Sequence, residues 1–271
     1  MLDNNGEYRY YGKSPNNYVE FNGELWRIIS SSKVFSSESD TVGEQRVKII
    51  RDESIGTHPW DNNSKNNWEN ATLNDTLNNR YYNQVEDGTC YLNGSQTTCD
   101  YVNGTVKGLS SDARNLIDDA LWYLGGSSTY NGMYANDYYD FERGTTVYTG
   151  NPTSWTGKVG LMYPSDYAYA ADLGLCTVTT SRYYNVHDAV NTANCVGTDW
   201  LHSGSIQWTL MHFSNSSSYV FNISNYGTIP YESIPPTAAY ARDIYPVVYL
   251  KSDIMIIDGD GSRDDPYVIS K

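Results

Sequence analysis

Four cysteines, four histidines and a run of aspartates are the side chains whose types and spacing bear most directly on chemistry. The cysteines fall in two local pairs, Cys90 with Cys99 and Cys176 with Cys195, crowded by Thr, Asn, Asp and Gly. Neither spacing is CxxC. An even count in such loops points to two disulfides formed in an oxidising compartment, with buried free thiols as the plain alternative. A zinc site shared with His187 and His202 is a third and weaker reading. His58, His187, His202 and His212 show no HxxxH-type spacing and read as surface or half-buried imidazoles. No GxSxG supplies a strained nucleophile turn, and SGS at 203–205 is too generic to replace it. Carboxylates are plentiful, but nothing in their spacing marks a pair set at glycosidase separation. DGDGSRDDP (258–266) offers Asp258, Asp260, Asp264 and Asp265 as hard oxygen ligands for calcium. It lacks the bidentate Glu and the flanking helices of an EF-hand. A plain turn is therefore the first reading, calcium at Asp258 and Asp260 the second, and no resident metal or cofactor is expected.

Aromatic side chains are the other chemical signal. Trp60, Trp68, Trp155, Trp200 and Tyr167 stand among Asn, Asp and Ser in segments that read as loops or strand ends. Ring faces beside amides and carboxylates combine stacking area with fixed hydrogen-bond partners, which is what a glycan or peptide surface requires. The plainer reading is that a loop-rich fold uses such rings as local miniature cores.

Charge and composition narrow the classes. With 18 basic against 32 acidic residues the net charge is −14, which opposes nucleic acid and anionic membrane surfaces alike. Apolar residues make up only 39%, but 26 Tyr and 7 Trp among 271 residues add much partly apolar surface for a core. No run approaches the ~20 apolar residues of a membrane span. MLDNNGEY has neither the basic start nor the apolar stretch of a signal peptide. The chain is then either cytosolic or a piece of a longer exported protein, and the cysteines favour the second.

Elements that must position these groups are legible in outline. Residues 1–17 are polar and Asn-rich and read as a flexible lead-in, with 18–271 as one domain. Asn22–Gly23 between Tyr18–Phe21 and Glu24–Ile29 is a strong hairpin signal, and QRVKIIRD (45–52) is a third strand. Asn70 caps a helix over about 71–84 with Leu73, Leu77 and Tyr81 on one face. A second helix is read from Ser111 to Gly125–Gly126, with Leu116, Ile117, Ala120, Leu121 and Leu124 as its stripe. Residues 127–157 read as irregular loops, KVGLMY (158–163) as a strand, and PSDYAYAAD as a short helix opened by Pro164. IQWTL, SYVFNIS and YPVVYL, between Ile206 and Leu250, are taken as the core sheet, with Pro246 at an edge or bulge. The tail is a strand, a turn and a short final strand.

YVEFNGELWRII, RVKIIRDESIG, WTGKVGLMYPSDYAYA, WTL…YVF…G and PVVYLKSD together resemble an uncharacterised domain of surface proteins of Gram-positive gut bacteria, over roughly 18–257. That domain is remotely similar to the C-type-lectin-like and formylglycine-generating-enzyme-like (sulfatase-modifying factor) group. The resemblance implies an α+β fold: a small twisted antiparallel sheet with two flanking helices, long irregular loops, and chain ends that lie close together. It also implies a cell-surface or extracellular location, with anchoring by a segment outside this sequence. Tyr245 departs from the pattern, where the resemblance implies an Arg in many members. The oxidase cysteines of the enzyme branch have no counterpart in 206–271.

If the chain ends meet on one side of the sheet, Trp155 and Trp200 could converge on the other, near Tyr163, Asp166 and Tyr167. The expected function is a non-catalytic, adhesin-like module that binds a host or microbial glycan or protein through these five residues, without nucleic acid and without membrane insertion. A structural or pilus-associated presentation module is the alternative, and an unrecognised hydrolase the third.

Overall fold

A computed structural model describes residues 2–4, 6–86, 88–92, 95–130, 132–172, 197–235 and 238–271. Cys176, Cys195 and His187 lie outside the described residues, so the second disulfide and the zinc reading fall there as well. The architecture is mixed α+β, dominated by sheet. Among the described residues there are two large sheets, two two-stranded ribbons and four short α-helices, where one small sheet, two flanking helices and the short helix opened by Pro164 were expected.

The larger sheet has nine strands. Its continuous order runs Val159–Gly160, Val247–Tyr249, Glu44–Arg51, Glu24–Val34, Tyr18–Phe21, Tyr267–Ser270, Met255–Asp258. Strand Glu7–Arg9 also pairs with Glu24–Val34, Tyr8 opposite Ser31 and Arg9 opposite Ser30. The Asn22–Gly23 hairpin is present as read. Both residues have positive φ, 59° and 72°, the conformation a two-residue turn needs to match strand twist. The last strand pairs in parallel with Tyr18–Phe21, so the beginning and end of the 18–271 fold share one sheet. The lead-in was expected to be loose. Instead Glu7 and Arg9 are buried, because the strand they occupy is held by the sheet on one side and by ion pairs from above.

The second sheet orders Tyr231–Ser233, Tyr219–Ile223, Gln207–His212, Arg242–Asp243 and Thr57–His58. The three strands read as one core sheet are therefore divided: Val247–Tyr249 leaves for the nine-stranded sheet, where Val248 faces Ile49. Pro246 stands just before that strand and only its carbonyl is used, accepting the Arg51 N–H at 3.0 Å.

One of the two helix readings holds with a different cap, and the other gives way to a strand. Helix Thr72–Asp75 continues as a π-helical turn, Thr76–Tyr81, and buries Leu73, Leu77 and Tyr81 as read. Its start is set by the carboxylate of Asp61, which accepts the Thr72 N–H at 3.1 Å, and not by Asn70. The second helix stops after Ser111–Asn115, capped by Ser110, whose hydroxyl accepts the Ala113 N–H at 3.2 Å. Ala120–Tyr123 is a strand. ALWY alternates buried and half-buried residues, and its partner Ser154–Gly157 comes from the stretch read as loop. The same stretch holds helix Ala135–Glu142. A local 3.6-residue pattern loses to a distant strand that offers a ladder and a Trp122 N–H bond to Gly157 (3.1 Å).

Cys90 and Cys99 sit at disulfide distance, Cα atoms 5.8 Å apart, across the ribbon Gly88–Leu92 and Ser95–Cys99. Both are buried in the hydrophobic core, not exposed in a loop. No helix among the described residues is long and apolar enough to cross a membrane.

Candidate functional site

The densest polar chemistry lies under the surface. Tyr249, Lys48, Ser30 and Arg9 form one cross-strand row over four neighbouring strands, Tyr249 opposite Lys48, Lys48 opposite Ser30, Ser30 opposite Arg9. Directly opposed residues share a face, with Cβ atoms about 5 Å apart. Ser30, being small, leaves room for the two long cationic side chains to lean toward each other. Above them lies helix Pro164–Ala170, with Pro164 in its first turn and Asp166 at its third position. Asp166 accepts the Tyr163 N–H at 2.9 Å, an Arg9 N–H at 2.8 Å, and the Lys48 ammonium. Arg9 also donates to Glu7 at 2.8 Å. Every side chain in this set is buried.

Environment fixes the protonation states. Burial opposes the charge of Asp166, yet Lys48 and Arg9 together hold it well below the usual carboxylate range. Burial lowers Lys48 against the attraction of Asp166, and its ammonium faces the rings of Tyr163 at 4.4 Å and Tyr249 at 5.5 Å. Beside this group, Glu142 at the end of helix Ala135–Glu142 accepts the Ser165 N–H at 2.8 Å and the Ser165 hydroxyl, and pairs with Arg143 at 3.2 Å. Burial pushes Glu142 up to about 7. The network ties two helices and the N-terminal strand to the sheet. Its charged groups are paired with one another, while Arg9 Nε and the Ser30 hydroxyl have no hydrogen-bond partner among the described residues.

The five residues proposed for ligand contact do not share a solvent-facing surface. Tyr163, Asp166 and Tyr167 are within 2% of full burial, and Trp200 is buried as well. Tyr163 donates its hydroxyl to the Tyr123 carbonyl (3.0 Å), and Tyr167 to that of Gly227 (3.1 Å). The Arg27 guanidinium lies 4.3 Å from the centroid of the Trp200 ring and the same distance from that of Tyr18. Trp155 is half-buried, edge-on to Trp68 at 6.0 Å, and Trp68 in turn meets Trp60 at 5.4 Å. Tyr163, Tyr167 and Trp200 pack as local cores, Asp166 is a buried ion-pair partner, and Trp155 is half-buried against Trp68, so the five do not form one shallow aromatic surface.

Sequence reasoning missed Lys48, Arg9, Glu7 and Glu142. A signal existed for the first: Lys48 keeps period 2 with buried Ile50 in a strand bounded by apolar neighbours. The turn at 258–266 uses its carboxylates locally. Asp258 accepts the Gly259 N–H and Asp260 the Ser262 N–H, at 2.9 and 2.8 Å. Among the described residues no group of three His, Cys, Asp or Glu side chains is placed to hold a metal.

His58 and His212 are both buried, and burial lowers each imidazole to about 4. A base depressed in this way stabilises the fold fully above its ordinary 6.5, and that contribution is lost as pH falls through 4. His212 accepts the Tyr148 N–H through Nε2 at 3.2 Å, a bond that a glutamine oxygen can replace. His212→Gln is expected to flatten the acid limb of stability, with about 3 kcal/mol less loss than the parent between pH 7 and pH 4. Urea titrations of both proteins at the two pH values measure it. Parallel losses would show that His212 is protonated in the fold.

An open feature lies at the other end of the large sheet. Strands Tyr18–Phe21 and Tyr267–Ser270, the Asn22–Gly23 turn and the start of helix Ser111–Asn115 enclose a cleft of about 330 Å³. Phe21, Ala113, Leu116, Val268 and Ile269 give it an apolar floor, and exposed Glu20 and Asp112 an acidic rim. Compared with family models, curated proteins and solved structures, the chain shows no match to any of them.

Proposed function

We propose that this chain is a non-catalytic binding module of C-type-lectin-like architecture, displayed on the surface of a Gram-positive gut bacterium, and that it holds a protein or glycan partner. The cleft carries this reading: it combines apolar floor, acidic rim and open access in one place. The parallel pairing of Tyr18–Phe21 with Tyr267–Ser270 supports the lectin-like architecture, since it draws the two ends of the fold together. The strongest buried acid–base groups support a binding role over a hydrolytic one, because Lys48, Asp166 and Glu142 are engaged with protein partners.

The acidic rim favours neutral or cationic partners over sulfated or sialylated ones, since like charge opposes approach. The expected result on a glycan and protein array is binding without turnover, at a Kd on the order of 1 µM to 1 mM. Leu116→Arg, which fills the cleft from its half-buried floor, is expected to weaken that binding at least tenfold at an unchanged fold by circular dichroism. Hydrolysis of any array member, or full binding by the folded Leu116→Arg protein, would overturn the reading. The presentation-module alternative draws on a separate observation, the exposed apolar strand Met255–Asp258 at the sheet edge.

A further inference from the structure

Strand Met255–Asp258 ends the nine-stranded sheet. Among the described residues it pairs on one side only, with Tyr267–Ser270. Its outer row of backbone groups therefore faces solvent. Met255, Ile256 and Ile257 are 62%, 54% and 61% exposed, three consecutive aliphatic side chains at one edge. Natural edges are guarded by Lys, Pro or inward charge, and IMII (254–257) contains none of these. The guards present are the strand's short length, its terminal Asp258 and a register shift between Ile256 and Asp258.

This edge continues into the cleft. Ile256 is directly opposite Ile269, so the two share a face, and Ile269 lines the cleft with Leu116 and Phe21. An added strand would find a backbone ladder at 255–258 and an apolar floor beside it. Charge then selects the occupant. The tail 251–271 together with Glu20 and Asp112 carries seven carboxylates against Lys251, Arg263 and Lys271. Two of those cations are engaged, Arg263 with Asp52 at 3.0 Å and Lys271 with Asp253 at 3.1 Å. A second copy would set this acidic rim against itself, on a chain whose net charge is already −14.

We propose that Met255–Asp258 is a strand-addition site for an extended segment of another protein that alternates aliphatic and basic residues. Aliphatic side chains of that segment cover Ile256 and the cleft floor. Lysine stems lie along the apolar edge and carry their ammonium groups to Asp258, and to Asp253 in exchange for its exposed Lys271 partner. Main-chain hydrogen bonds supply affinity and the alternate side chains supply specificity, the mode by which sheet edges capture extended peptides. The inference rests on the binding-module reading and names its partner and its contact.

The test uses the full chain and three synthetic octapeptides: alternating Val and Lys, alternating Val and Glu, and the Val/Lys peptide with alternate backbone nitrogens methylated. The Val/Lys peptide is expected to bind, to slow hydrogen exchange at amides of 255–258, and to weaken as salt is raised. The Val/Glu peptide, the methylated peptide, and the Val/Lys peptide on Ile256→Lys/Ile257→Lys protein are each expected to bind at least tenfold more weakly. Both substituted positions are exposed, so the variant should keep its melting temperature. Equal binding of the methylated peptide would replace strand addition with a side-chain patch and overturn the proposal. Equal binding of the Val/Glu peptide would overturn the choice of partner. A dimer in light scattering that the double variant abolishes would make the occupant a second copy, again overturning it. No peptide binding alongside retained array hits would refute this site and leave the module reading standing.

Discussion

Asp166→Ala is expected to destabilise the protein by about 3–5 kcal/mol, the cost of breaking a buried charge network by removing one member. Its carboxylate is the shared partner of Lys48 and Arg9 and accepts the Tyr163 N–H. Arg9 would keep Glu7, but Lys48 would be left facing aromatic rings without a counter-ion. Lys48→Met is expected to cost less, because Asp166 would still hold Arg9 and the Tyr163 amide. That order separates a network centred on Asp166 from one centred on Lys48, and chemical denaturation at neutral pH reads it. Holding Asp166 low also means that its contribution is full above the ordinary carboxylate value and lost as pH falls below it. The gap between Asp166→Ala and parent should therefore narrow in acid. A variant within 1 kcal/mol of the parent at pH 7 would show that the network does not hold the N-terminal strand to the sheet.

Phe221→Ala is expected to cost a similar roughly 3–5 kcal/mol by transfer and cavity terms. Phe221 is fully buried in strand Tyr219–Ile223, between Gln207–His212 and Tyr231–Ser233. Its ring meets Tyr138, Phe213 and Tyr231 at 6.2, 6.3 and 6.2 Å, all at steep angles. Such edge-to-face pairs add about 0.5–1.5 kcal/mol beyond area. Since each kcal/mol moves Tm by roughly 2–4 °C in domains of about this size, a drop of roughly 10 °C is expected by calorimetry. A shift under 2 °C would mean that the second sheet is peripheral to stability.

Local chemistry determined whatever could be satisfied within a few residues. The Asn22–Gly23 turn, the Leu73–Leu77–Tyr81 face, the Pro164 helix start and the C-terminal strand–turn–strand are all legible because each is set by its own dihedrals, spacing or cap. Tertiary structure decided everything that needed a distant partner. Ala120–Tyr123 carries a helical stripe yet becomes a strand, because Ser154–Gly157 arrives to pair with it. Val247–Tyr249 joins Glu44–Arg51 and leaves the neighbours it has in sequence. Asp166 was read as a surface contact from its polar, aromatic setting, but Lys48 and Arg9, 118 and 157 residues away, draw it inside. Exposure followed the same logic in reverse. Met255, Ile256 and Ile257 have the composition of a core strand and lie in solvent, because the sheet ends there and nothing among the described residues covers its last edge. Sequence spacing reports which face a side chain shares with its neighbours. Which face is wet depends on contacts made across the whole chain.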